Sequence, residues 1–196
     1  MVSEIRIYYE GSEFLKPGFR TFFTELAQRA QDRGCEFRLI HARSGSEASR
    51  DFGIALHANR AACNILLRDS EGPDDGKLSS LLCQQNDWDQ SYVDSIFWMV
   101  EMMESWFHAD KDALAVFYGN GFRNGALKAN PEVERIPKRD LIAGLRAATK
   151  DSQKGNYYDH KTSHAPELLA SIQPQLVRRA APNCERLFQT VLAKLT

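Results

Sequence analysis

Long apolar runs, closely spaced cysteines and a surplus of either charge are all missing from this chain of 196 residues. No stretch approaches the roughly 18 apolar residues that a membrane-spanning helix needs. Met1 to Arg6 also lacks the charged-then-apolar order of a secretory leader, so the expectation is a cytoplasmic protein with no membrane partner. Cys35, Cys63, Cys83 and Cys184 lie far apart in the chain, which argues against a zinc knuckle or a redox dithiol and leaves reduced core thiols. Glycine and proline number only 12 and 7, so collagen-like, low-complexity and disordered descriptions fail. With 25 basic against 26 acidic residues the formal charge is -1, and attraction to nucleic acid would have to come from a local patch. Neither a P-loop nor a Gly-x-Ser-x-Gly elbow occurs, and there is no internal repeat or flexible linker.

What is present is an ordinary globular composition, 43% apolar and 26% charged, on a chain long enough to bury a core. Glu4 to Tyr9, Glu36 to His41 and Ala62 to Leu67 are short β-branched and aromatic runs that read as strands. Between the first two, Phe19, Phe22, Phe23, Leu26, Ala27 and Ala30 recur at helical spacing behind Pro17, with Gly34 as a left-handed cap. Between the second and third, Ala48, Phe52, Ala55, Leu56 and Asn59 give a weaker helical period. Alternation of this kind predicts a mainly parallel α/β sheet flanked by helices, built from residues 1–75. Residues 70–90 read as a loop, and Tyr92 to His108 as one largely buried helix. Further helices are expected from Asp110 to Phe117, Lys138 to Ala148, Pro166 to Ser171 and Cys184 to Leu195, so that residues 91–196 form a mainly helical part packed on the sheet.

Glu10 follows the first strand, and Asp69 and Glu71 follow the third. All three therefore belong to the carboxyl edge of a parallel sheet, where open α/β sheets bind ligands. If the first and third strands are neighbours, these hard oxygen donors converge and suit Mg²⁺ or Mn²⁺ better than zinc. Asp69 and Glu71 would share one side of an extended chain. The plainer alternative is that such acids solvate loops or cap helices. Glu101 and Glu104, three apart on the apolar helix, call for partners: Arg or Lys in a structural role, or a metal or general-base role. Lys138, Lys154, Tyr157, Tyr158, His160 and Lys161 combine positive charge with aromatic faces, the chemistry that holds phosphates or unstacked bases, although solvated loop charge explains them equally. Trp98, Met102, Met103 and Trp106 are read as core, and none of the five histidines stands at diagnostic metal spacing.

Tyr9-Glu10-Gly11, Leu67 to Pro73 and, above all, Met99-Val100-Glu101-Met102-Met103-Glu104-Ser105-Trp106-Phe107-His108-Ala109-Asp110 resemble a prokaryotic family known as domain of unknown function 4276. Phe117-Tyr118-Gly119, Lys138, Lys154-Gly155, Tyr158, Lys161 and Leu168-Leu169 follow in the family's order, so the resemblance spans nearly the whole chain. It implies a single Toprim-like domain, Rossmann-like in layout. A glutamate after the first strand and an Asp-x-Asp after the third would bind Mg²⁺ and support phosphodiester chemistry. That role carries over to Glu10, Asp69 and Glu71, with Glu71 in place of the second aspartate. From the reading of the residues themselves, Glu104 is the further expected metal ligand, and Lys138, Lys154, Tyr158 and Lys161 are the expected substrate contacts. The expectation is a metal-dependent nuclease of a mobile-element or anti-phage system, with nucleic acid and an ATPase as partners. The alternatives are a noncatalytic Toprim-like binding module and an enzyme acting on a small phosphate ester.

Overall fold

A computed structural model describes residues 2–58 and 61–196. The first strand, β1 (Glu4–Glu10), alternates Ile5, Ile7 and Tyr9 on one face with Tyr8 on the other. Two helices follow it, α1 (Lys16–Phe22) and α2 (Thr24–Asp32), where the sequence predicts one. The break is Phe23, whose ψ of 18° leaves the helical range. Then come β2 (Glu36–Ala42), α3 (Gly45–Ala58) and β3 (Cys63–Asp69). Asn59, assigned to the second helical period, lies outside the described residues.

The four strands are all parallel and lie in the order β2-β1-β3-β4, with β4 at Ile96–Met99. The chain steps outward from β1 to β2, then returns to β3 on the other side of β1. The crevice between β1 and β3 is therefore the topological switch point. Packed on one face are Phe19 and Phe22 of α1, Leu26 of α2 and the C-terminal helices. On the other lie Ala48 and Phe52 of α3 with Leu82 and Cys83 of α4 (Leu78–Gln85). Helices on both faces of a parallel sheet make this an α/β, Rossmann-like architecture, as the alternating pattern predicts.

Strand β4 corrects the helix expected from Tyr92 to His108. Ile96, Phe97, Trp98 and Met99 are all buried, and the run pairs with β3 from Leu66↔Ile96 to Asp69↔Met99. An element apolar on every side carries no period, so four strand residues joined to a short helix imitate one buried helix. The helix itself, α5 (Glu104–His108), begins only after a loop. Glu101 is in that loop at φ 65°, so it does not share a helix face with Glu104.

Residues 70–90 are likewise not all loop, since they contain α4. Beyond α5 come α6 (Lys111–Tyr118), α7 (Lys138–Thr149), α8 (Lys161–Ser171), α9 (Pro174–Ala180) and α10 (Pro182–Lys194). α8 starts five residues before the predicted Pro166, which it holds in its interior despite the missing N–H. The compensation is packing: Gly18 of α1 approaches so closely that a Cβ there would lie 2.6 Å from the Pro166 carbonyl oxygen. All four cysteines are free thiols, as expected. Among the described residues no helix is long and apolar enough to cross a membrane.

Candidate active site

Three loops leave the carboxyl edge of the sheet around the switch point, and each is fixed by its own local chemistry. After Glu10, Gly11 adopts φ 139°, and a Cβ there would lie 2.6 Å from Leu15 Cδ1, so glycine is required at the turn. The Gly11 N–H donates to the Ala42 carbonyl at 3.0 Å, and His41 Nε2 donates to the Gly11 carbonyl at 2.9 Å. A carbonyl can only accept, so the neutral His41 ring carries its proton on Nε2 and leaves Nδ1 as an acceptor.

The loops after β3 and β4 are laced together. Asp69 Oδ1 accepts the Met103 N–H at 2.8 Å, and Ser70 Oγ accepts the Glu101 N–H at 2.7 Å. Glu71 and Glu101 both have positive φ, 61° and 65°, an uncommon and strained state for residues other than glycine. The chain therefore ceases to be extended after Asp69. Glu71 does not reach the same place as Asp69, but turns outward to an ion pair with Lys138 Nζ. Glu101 is buried and accepts the backbone N–H of Lys138 at 3.0 Å. Its partner is thus the first turn of α7, where a carboxylate is favoured by the helix dipole, rather than an Arg or Lys side chain.

Glu10, Asp69 and Glu104 line one cleft of about 750 Å³, together with His41, Arg43 and Lys161. Among the described residues five carboxylate side chains line it, against Arg43 and Lys161 as the only Lys or Arg. Glu104 is 1% exposed, and its Oε1 accepts a hydrogen bond from Tyr157 OH at 2.7 Å and forms an ion pair with Lys161 Nζ at 2.6 Å. Its pairing with a lysine matches the structural role read from the sequence. Glu10 faces Arg68, with Nε 3.8 Å from Oε2, and that Oε2 is buried without a hydrogen bond. Arg68 is in turn held by Ser49 Oγ at 3.0 Å and by the Trp98 ring at 5.6 Å. Gly45 leaves room for the guanidinium, since a Cβ at that position would collide with it.

Asp69 has no ion-pair partner among the described residues. Burial, then the neighbouring charges of Glu104, Glu10 and Glu71, push its carboxyl up to about 8, against the opposing hydrogen bond from the Met103 N–H. Burial, followed by the Glu104 charge, also raises the Tyr157 hydroxyl well above its ordinary range. The carboxylates thus gather closely enough to repel one another.

Oxygen donors at Glu10, Asp69 and Glu104 suit a hard divalent cation in kind. As the side chains stand, among the described residues no three His, Cys, Asp or Glu groups are placed to share one ion. Of the residues expected to contact substrate, Lys161 is in the cleft and Lys138 flanks it through Glu71. Lys154 lies elsewhere, with Nζ 3.7 Å from the Phe117 ring centroid and 3.3 Å from Glu167. Tyr158 packs against Tyr157 and Arg146. Sequence reasoning missed His41, Arg43 and Phe14 as cleft residues. The argument that singled out Glu10 would have found the first two, because they flank the carboxyl end of β2.

A family model described as domain of unknown function (DUF4276) matches residues 11–192, and the chain belongs to that family. No curated protein and no solved structure matches it significantly.

Proposed function

We propose that this chain is a Toprim-like, Mg²⁺- or Mn²⁺-dependent phosphodiester-cleaving enzyme. The observation that carries this reading is the convergence of Glu10, Asp69 and Glu104 in one cleft at the switch point of a parallel sheet, with Asp69 partly buried and without an ion pair among the described residues. Divalent cations neutralise charge on a phosphate undergoing displacement, and Asp69, Glu10 and Glu104 would hold such an ion here. The chain's own groups divide the remaining work. The Met103 N–H orients Asp69, and the Tyr157 hydroxyl orients Glu104. Lys161 and Arg43 bind the non-bridging phosphate oxygens, as charge-assisted donors do. Glu10, at the end of β1 and lining the cleft, accepts the proton of the attacking water.

A second reading has its own support. Glu71 and Glu104 are each paired with a lysine, and among the described residues no three acids stand ready for one ion. That arrangement favours a noncatalytic Toprim-like module that binds a partner or nucleic acid. Calorimetric titration with Mn²⁺, run beside cleavage assays on DNA, RNA and bis(p-nitrophenyl) phosphate, separates the two. The enzyme reading expects saturable Mn²⁺ binding, cleavage abolished by EDTA, and a loss of about 100-fold or more in Asp69→Asn. Absence of both binding and cleavage in the unaltered protein leaves the noncatalytic module.

A further inference from the structure

Between Glu10 and α1 the chain makes one 3₁₀ turn, Glu13–Leu15, whose two apolar side chains have opposite fates. Leu15 is buried against Gly11, whereas Phe14 is 57% exposed. The turn is held in place. Ser12 Oγ accepts the Phe14 N–H at 3.3 Å, and the Ser12 carbonyl accepts the Leu15 N–H at 3.0 Å. An aromatic ring is therefore fixed at the rim of the carboxylate cleft with much of its surface open to water.

Phe14 and Thr162 line that cleft and also a second hollow of about 390 Å³, which Asp159, His160 and Ser163 complete. The two hollows meet at Phe14 and differ in chemistry. The first holds Arg43 and Lys161; the second has no Lys or Arg among the described residues of its lining, but has the His160 ring and the Asp159 carboxylate. Among the described residues a phosphate finds cationic donors in the first, at Arg43 and Lys161 set among five carboxylates, and meets the Asp159 carboxylate in the second, while an aromatic base with amino donors suits the second. Consecutive residues, His160 and Lys161, serve the two hollows in turn, which is the alternation that a sugar-phosphate chain presents.

Resting on the cleavage reading above, we propose that the substrate is single-stranded nucleic acid, with an unpaired base stacked on Phe14 beside His160 and the adjoining phosphate at Lys161. A duplex keeps its base faces covered by neighbours in the stack, so it cannot use the Phe14 ring without first being opened.

The test is fluorescence anisotropy in EDTA with labelled octadeoxycytidylate, octacytidylate and a blunt duplex of equal length. Hydrolysis of bis(p-nitrophenyl) phosphate with Mn²⁺ is measured alongside. At least one single strand should bind about tenfold or more tighter than the duplex. Phe14→Ala and Phe14→Leu should lose about tenfold of that affinity, and Phe14→Trp should retain it, all with the thermal unfolding midpoint unchanged. Equal binding by Phe14→Ala and the unaltered protein, or duplex binding as tight as single-strand binding, overturns the proposal. If the unaltered protein hydrolyses neither the ester nor an oligonucleotide while Phe14→Ala still weakens binding, cleavage is refuted and base stacking stands.

Discussion

Arg178 of α9 lies between Glu25 of α2 and Glu185 of α10, at 3.1 and 2.5 Å, with its guanidinium over the Phe188 ring. Asp69, at the other carboxylate cluster, has Glu10, Glu71 and Glu104 as electrostatic neighbours and no ion pair among the described residues. The consequences run in opposite directions. The Arg178 hydrogen bond holds the Glu185 carboxyl below its usual range, and burial and like charge drive the Asp69 carboxyl up to about 8. A helix junction supplies its own cation and is stabilised by it. The sheet edge leaves repulsion in place, which marks it as a site that the rest of the fold must stabilise.

The largest effect should come from removing the repulsion. Asp69 ionises at about pH 4 in the unfolded chain and at about 8 in the fold, so its contribution is fully present below pH 4 and is lost as pH rises to 8. Asp69→Asn keeps an acceptor for the Met103 N–H and removes the charge. It should raise stability by up to about 5 kcal/mol at pH 8 and above, with the gain shrinking towards pH 4. Urea denaturation across that range checks it, and a variant less stable than the parent at pH 9 would break the contrast. The same substitution abolishing Mn²⁺ binding would show stability and function opposed at one residue.

His108 supplies a limb of the opposite sign. It is buried, and desolvation followed by the Lys111 charge lowers it to about 4, against the opposing backbone hydrogen bond at Leu141. The unfolded imidazole binds its proton near pH 6.5. Stability should therefore fall as pH drops from 6.5 to 4, by up to about 3 kcal/mol, and His108→Leu should flatten that limb relative to the parent. An unchanged slope in the difference between the two denaturation series would remove the desolvation argument.

Arg178→Ala should cost about 1–2 kcal/mol, because Arg178 is mostly buried but its partners are about one-third exposed and water screens them. Cleavage and Mn²⁺ binding should not change, and a loss of either would show that the two clusters are coupled. The smallest effect concerns Lys161, whose ammonium competes with a divalent ion for Glu104. Lys161→Ala should raise Mn²⁺ affinity about tenfold by calorimetry while slowing cleavage, since the phosphate loses a donor. A fall in Mn²⁺ affinity would place Lys161 outside that competition.

The sheet was legible wherever strand and helix alternate with clear punctuation. β1, β2 and β3 stand within a residue or two of their apolar runs, and Gly34 takes the left-handed φ of 65° that a helix stop needs. β4 was not legible, because Ile96 to Met99 are buried on both faces and lead directly into an apolar loop and helix. In the site, Glu10 and Asp69 were found by position at strand ends. Glu71 was misjudged because the reading assumed an extended chain, and the positive φ at Glu71 turns its side chain to Lys138. Phe14 carried no signal, since one aromatic residue in a turn is as consistent with core as with surface.

By itself the chain's pattern determined the α/β class, the placing of acids at strand ends and the reduced state of its thiols. Those features depend on local periodicity and residue chemistry, which a sequence displays. Only tertiary structure decided that β1 and β3 are neighbours, that Asp69 has no ion pair among the described residues while Glu71 and Glu104 each gain a lysine, and that α8 begins early enough to bring Lys161 to the cleft. Each depends on which distant groups share a low-dielectric space, and pairing across that space follows from packing rather than from spacing along the chain.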